Sequence, residues 1–561
     1  MFSPKWVFVS LCLLGLPHPA VGQDFSHIWS QRFGDQSNQW DTRVAVDVSG
    51  NILATGYFEG TVDFGGGALV SAGERDIFVA KFNGNGTHLW SKRFGDSAPN
   101  QRGFDIACDE CGNVIVTGWF EGTVDFGGGP LTSAGAEDMF VVKFDVDGNH
   151  LWSKRFGDAG IHQAAGSVAV DTWGNVIVTG WFQGAVDFGG GLLTSAGTYD
   201  VFVAKFDPAG NHLWSKRFGD ANWQWATDVA VDGAGNLVVA GAFHGIVDFG
   251  GGPLTSAGFG SEGLEDIFMV KFDPAGYHLW SKRFGDADSQ TGAYVAVDES
   301  GNIFSSGGFF GVVDFGGGAL VSAGDGTSDI FMVKFDPAGN HVWSQRFGDD
   351  DDQPGGEVVV EASGTVVVQG DFAGAVDFGG GPLTSAGWYD IFVARFDPAG
   401  NHLFSERFGD ATLQMSTGVA VDGWGHVVVA GRFWGTVDFG GGPLVTAGGF
   451  DIFLVKFGDS ATGILSTRIG NGLRLDAHPN PFNPETAITY FVPNSSIVDL
   501  RIYDVEGRLV QTLVQEVKSS GSHAAAWNGL DRRGAAVSSG IYFVRLEASG
   551  QAATRKIVVL K

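Results

Sequence analysis

Cysteine, methionine, basic residues and long apolar runs are all scarce in this chain. Of 561 residues only 3 are Cys and 5 are Met, and 34 Lys or Arg face 63 Asp or Glu. The formal charge of −29 repels nucleic acid and anionic lipid, and no Lys/Arg cluster opposes that reading. Such a balance leaves Ca²⁺ as the one cofactor to consider; otherwise none is expected. Charged residues make up 17% and Gly numbers 89, which excludes both a charge-rich disordered chain and a coiled coil. The one long apolar run, Trp6–Leu16, is too short to cross a bilayer. Lys5 precedes it and Ala20-Val21-Gly22 follows, so residues 1–22 read as a signal peptide cleaved after Gly22. The mature chain is then expected to be exported, with no membrane span. Catalytic signatures are missing too: there is no nucleophile elbow, HExxH, P-loop or dinucleotide fingerprint. Two cysteines, Cys108 and Cys111 in ACDECGN, remain after cleavage. In an oxidising compartment they are candidates for a disulfide; a zinc site would need four ligands.

What the chain has in abundance is repetition. VDFGGG occurs seven times, with its Asp at 63, 125, 187, 248, 314, 377 and 438. A period near 60 residues with no helical segment must be read as a repeat architecture first. In the copy His212–Phe272, HLWSKRF, DVAVD, NLVVAGAF and DIFMVKF are four short strands. The Gly-Ala-Gly and DPAGY stretches are tight turns, and IVDFGGGPLTSAG reads as a loop. Seven such four-stranded units bury their faces only by packing on one another, which predicts an all-β, seven-bladed β-propeller over residues 24–457. Trp29, Trp90, Trp152, Trp214, Trp280, Trp343 and Phe404 share one position, suited to packing between blades. By analogy with NHL-type propellers, HLWSKRF is the outer strand. Residues 27–33 then pair with residues 451–457 and remove two exposed edges. VAVDGAGN, VVVAG and DIFVAKFDPAGNHLWSKRFGD resemble the bacterial secreted β-propeller repeat family, a resemblance that implies the fold and no reaction.

The candidate sites follow from strand order, which puts every VDFGGG and FGD connection on one face. The VDFGGG Asp is expected to cap backbone N–H groups rather than hold Ca²⁺. A ring of Gln (39, 101, 163, 224, 290, 353, 414) precedes the inner strands, either lining the channel mouth or tying each loop to the neighbouring blade. His27, His88, His150, His212, His278, His341 and His402 lie on outer strands, too far apart to share a metal. The copies differ in the residues after the second-strand Gly and in the FGD loops, where NQWDTR and NWQWAT stand. Trp119, Trp181, Trp223 and Trp434 are therefore the candidate ligand contacts, since aromatic faces supply stacking area. Asp349, Asp350, Asp351 and Asp352 form the candidate Ca²⁺ loop.

Residues 458–472 read as a linker. Beyond it, alternating strands over residues 473–561 predict a small Ig-like β-sandwich. PNPFNP, IYDVEGR, WNGLDRRG, SSGIYFVRL and KIVVLK resemble the C-terminal sorting domains of type IX secretion cargo and the Ig-like domain of flagellar hook-capping proteins. The resemblance implies passage through the periplasm to the surface or medium, with type IX-like machinery as the partner. A non-enzymatic binding platform for a glycan or protein is the leading expectation. A polysaccharide hydrolase or lyase with carboxylates on the loop face, and a structural envelope protein, are the alternatives.

Overall fold

The structure is a computed structural model that describes residues 25–98, 100–159, 163–258, 264–459, 474–478, 486–492, 496–504, 507–518, 521–548 and 551–559. The expected signal peptide, nearly all of the expected linker and the PNPFNP motif lie outside the described residues. The chain divides into two compact units, Met1–Ser460 and Ala461–Lys561.

In the first unit the described residues form seven four-stranded antiparallel sheets and seven two-stranded hairpins, with no helix. The first sheet orders Gln39–Val46, Ile52–Phe58, Asp76–Phe82 and His88–Phe94 from inner to outer strand. Five further sheets repeat that order from inner strands starting at Gln101, Gln163, Gln224, Gln290 and Gly355. The seventh takes Gln414–Val421, Val427–Phe433 and Asp451–Asp459 from the end of the repeat and Phe25–Phe33 from its beginning. Within that last pair Phe33 stands opposite Ile452 and His27 opposite Phe457. The strand runs two residues further than predicted: Gly458 and Asp459 pair with Ser26 and Phe25, so the linker cannot start at 458. Phe25 holds that extension, buried against Phe404 at 4.9 Å and Phe457 at 5.6 Å.

Each apolar core is shared by two successive sheets. One, for example, joins Met139 and Val141 of the second sheet to Val176, Val178 and Phe202 of the third. Another joins Ile452 and Leu454 of the seventh to Ile52 and Phe58 of the first. The tryptophan ring packs as expected. Trp90 stacks on the turn glycine Gly148 of the next sheet and donates Nε1–H to Val146 O at 3.1 Å. Trp29 does the same to Gly86 and Gly84 of the first sheet. Buried Lys81, Lys143, Lys205, Lys271 and Lys456 pair with Asp47, Asp109, Asp171, Asp232 and Asp422 at 2.8–3.0 Å. Each also donates to a turn carbonyl of the following sheet, Lys456 reaching Gly84 O of the first. The sixth sheet breaks the pattern with Phe404 for Trp and Arg395 for Lys. Its neighbour has no such turn, because the chain leaves the repeat there. Arg395 turns instead to Glu361 at 2.5 Å and covers the Phe25 ring at 4.4 Å.

VDFGGG is a hairpin rather than a loop. Thr61–Asp63 pairs with Ala68–Val70, and every other copy does likewise. Asp63 Oδ1 accepts the N–H groups of Gly65 at 2.7 Å and Gly67 at 3.1 Å. The equivalent bonds hold the Asp187 and Asp314 carboxyls below their ordinary pKa. Gly65 and Gly67 have φ of 105° and 108°, conformations open to glycine alone. The middle glycine answers a different need. A Cβ on Gly66 would lie 2.2 Å from His88 Cε1, and that imidazole is fixed by Ser91 Oγ at 3.0 Å. Gly66→Ala is expected to destabilise by about 1 kcal/mol or more, and adding His88→Ala to relieve most of that. Simple additivity in denaturant unfolding of the two singles and the double would show that the ring does not press on the glycine.

In the second unit Arg474–His478, Thr486–Val492 and Gly521–Trp527 form one sheet. Leu509–Lys518, Ser496–Asp504, Gly540–Ala548 and Gln551–Val559 form the other. Ile488, Val498, Leu500, Trp527, Val544 and Ile557 fill the core. Alternation along SIVDLRIYD and GIYFVRLEA places these side chains inward at every second residue.

Candidate ligand-binding site

The glutamine ring does not line a channel mouth. All seven side chains are buried, and Gln39 Nε2 donates to Glu59 O of its own sheet at 3.2 Å. It is the backbone N–H of Gln39 that reaches the seventh sheet, at Phe450 O. Inner strands from all seven sheets instead border a cavity of about 360 Å³. At one level it is ringed by Arg43, Asp105, Ser167, Asp228, Tyr294, Glu357 and Gly418, which hold equivalent register positions. Three carboxylates reach across to the next sheet: Asp105 accepts Val168 N–H, Asp228 accepts Val295 N–H and Glu357 accepts Val419 N–H, at 2.8–3.0 Å. Arg43 answers Glu357 at 3.3 Å. Burial pushes Asp105 up to about 6 and Glu357 to about 7.

The Asp349–Asp352 loop is tied to its own backbone and to the segments around it. Asp349 accepts Asp351 N–H, Gln353 Nε2–H and Ala375 N–H, and Asp352 accepts the Ser328 and Tyr389 hydroxyls. Asp350 and Asp351 sit exposed beside them. No group of three metal-ligating side chains occurs among the described residues. The cysteines are both free: Cys108 Sγ donates to Val46 O of the first sheet, while Cys111 is exposed in a turn. Burial raises the Cys108 thiol to about 12, which keeps it protonated and unreactive.

Of the four candidate tryptophans only Trp434 is exposed, at 52%. Trp119 is buried, because Arg102 of the adjoining strand lies over its ring at 4.9 Å. Trp181 is half-buried edge-on to Tyr199, and Trp223 stacks on Trp225 at 5.0 Å. Trp434 and Trp119 are nonetheless the two ends of one ladder across the seventh, first and second sheets. From Trp434 it passes to Phe450 at 6.5 Å, Trp40 at 5.5 Å and Tyr57 at 6.5 Å. Arg432 lies over Trp40 at 4.7 Å, Arg75 lies between Trp40 and Tyr57, and Arg102 is sandwiched by Tyr57 and Trp119. Asp41 joins Arg432 at 2.6 Å and accepts the Tyr57 hydroxyl at 3.2 Å. Asp41 is the one non-glycine with positive φ among the described residues, at 21°, and it sits where the inner strand bulges. Such a bulge re-aims side chains at a site. Trp388, exposed at 77% on the sixth sheet's loop, adds a further aromatic that sequence reasoning missed.

Residues 485–552 match the FlgD Ig-like domain. An uncharacterized WD repeat-containing protein of Acanthamoeba polyphaga mimivirus is 22% identical over 522 residues, covering 75% of this chain and 37% of the relative. Regulatory protein FlaEY of Caulobacter vibrioides is 26% identical over 204 residues, covering 35% and 20%. The chain thus spans well under half the length of either relative. Among solved structures, a protein of unknown function from Dyadobacter fermentans aligns at a TM-score of 0.38 and 10% identity, covering 78% of this chain and 99% of that one. PorZ, described as a surface component of the type-IX secretion system of Porphyromonas gingivalis, aligns at 0.24 and 12%, covering 94% and 82%.

Proposed function

We propose that this chain is an exported, non-enzymatic binding platform. In this reading its seven sheets close into a seven-bladed β-propeller, the loop face takes a glycan or protein ligand, and the Ig-like unit directs the protein outward. Pairing of Phe25–Phe33 with Asp451–Asp459 supports closure. The observation that carries the binding role is the ladder from Trp434 to Arg102. It lies where the repeats stop being identical, and it ends in an exposed indole. The cluster is confined to three sheets and reaches solvent, which supports a role beyond the fold that the repeats share. A glycan array probed with the full chain should show binding without turnover of the bound sugar. Trp434→Ala should weaken that binding at unchanged melting temperature. Full binding by this variant would move the site elsewhere, and cleaved glycan would replace the platform with an enzyme.

Localisation rests on the signal-peptide pattern of residues 1–22 and the sorting-domain motifs of residues 473–561. In a host with type IX machinery, removing residues 473–561 should strand the propeller in the periplasm. A truncated protein that still reached the surface would reduce the Ig-like unit to an accessory module.

A further inference from the structure

Five arginines of residues 25–459 stand outside the repeat: Arg43, Arg75, Arg102, Arg395 and Arg432. Arg43 faces the central cavity and Arg395 fills the sixth sheet's seam. The other three all act on Tyr57, whose burial and Asp41 neighbour raise it to about 12 against the pull of these guanidiniums. The repeat arginines are neutralised, each bound to the Asp that opens a third strand, as Arg93 is to Asp76 and Arg32 to Asp451. Arg432 has Asp41, and Arg75 has Glu59 at 3.1 Å. Arg102 has neither a carboxylate nor a hydrogen-bond acceptor among the described residues. Its guanidinium lies between the rings of Tyr57 at 4.7 Å and Trp119 at 4.9 Å. Arg102 is therefore the one guanidinium of the three with no ion-pair partner among the described residues, on a chain of net charge −29.

We propose that this ladder binds an acidic oligosaccharide, with the carboxylate of one uronate on Arg102 and a more distant sugar ring of the same oligomer on the exposed Trp434 indole at the ladder's other end. The proposal rests on the loop-face reading above and names its ligand class. A guanidinium held flat by two rings is pre-organised, so its fork meets a planar carboxylate with little further loss of freedom. The exposed Trp434 indole supplies area for the flat C–H face of a pyranose. Neither feature alone selects a uronate oligomer; their placement at the two ends of one ladder does.

The test is calorimetric titration of the full chain with oligogalacturonate, with the same oligomers after reduction of their carboxyls to alcohols, and with a sulfated neutral oligosaccharide. Oligogalacturonate should bind, and binding should weaken as salt is raised. The carboxyl-reduced oligomer should lose about tenfold or more in affinity, and so should Arg102→Gln. Arg102→Lys, which keeps the charge but not the fork, should fall between; it also decides the matter if Arg102→Gln fails to fold. Equal binding of the reduced oligomer, or wild-type binding by both arginine variants, would overturn the uronate assignment. Neutral-glycan binding sensitive to Trp434→Ala would in that case leave the platform reading standing. Binding of the sulfated sugar alone would overturn the carboxylate as the recognised group. If no oligomer of any kind binds, the uronate assignment falls and the loop face is left to a protein ligand.

Discussion

Deleting residues 24–34 is expected to destabilise the propeller by on the order of 10 kcal/mol, as much as an ordinary domain has to lose. The segment supplies the whole outer strand of the seventh sheet. Phe25 and Phe33 are buried in cores shared with neighbouring sheets, and losing each costs about 3 kcal/mol or more. Arg32 goes with them. That strands the fully buried Asp451 without its cation, for about 3–5 kcal/mol more. His27 leaves its seat on Gly441, and Trp29 releases the turn of the first sheet. The damage thus reaches both sides of the seam. Denaturant unfolding measures the loss, and amide exchange should show Asp451–Asp459 opening first. A synthetic peptide of residues 24–34 added to the truncated protein should restore part of the stability. An unchanged unfolding midpoint would show that these residues do not close the ring.

The fold was legible because repetition averages away local noise. Seven copies of one strand pattern, out of phase with the ends of the repeat, together with the strand order of NHL-type propellers, point to the pairing of residues 27–33 with residues 451–457. The same averaging hid the site. Asp41 and Arg432 are 391 positions apart and meet only because the last sheet packs on the first. Trp119 looked like a free platform because the sequence does not show Arg102 folding over it. A signal was present, in the arginines outside the repeat, but they are few and the acidic total masks them. The cavity belt is equally invisible to a repeat search. Its position reads Arg, Asp, Ser, Asp, Tyr, Glu and Gly around the seven sheets. The departures at Phe404 and Arg395 look like drift until the missing turn beside them is seen.

Together with Asp371, the belt carboxyls are expected to make the repeat unit's stability rise on mild acidification, contrary to the usual behaviour of an acid-rich protein. Glu357 and Asp371 are raised to about 7 and Asp105 to about 6, chiefly by burial; Asp228 is also raised. Asp371 is almost fully enclosed and holds Ser416 N–H and Oγ–H, with Arg432 nearby. Among the described residues the only cation facing Asp105, Asp228 and Glu357 at their level is Arg43, so full ionisation sets three negative charges against one positive. In the unfolded chain all four carboxyls titrate near 4. Between about pH 4 and 7 the folded state therefore binds more protons than the unfolded state. Stability must then fall as pH rises through that window and level off above it. Below about pH 4 the sign reverses. Asp187, Asp314 and Asp410, held low in the folded state, then take up protons that break their bonds to backbone N–H. The unfolding midpoint is expected to be highest near pH 5, with a gain on the order of 6 kcal/mol over pH 8. Glu357→Gln and Asp371→Asn should each flatten that rise, since an amide stays neutral throughout. A midpoint that falls steadily from pH 8 to pH 5, or one whose pH slope survives both substitutions, would mean that these carboxyls are ionised in the folded ring.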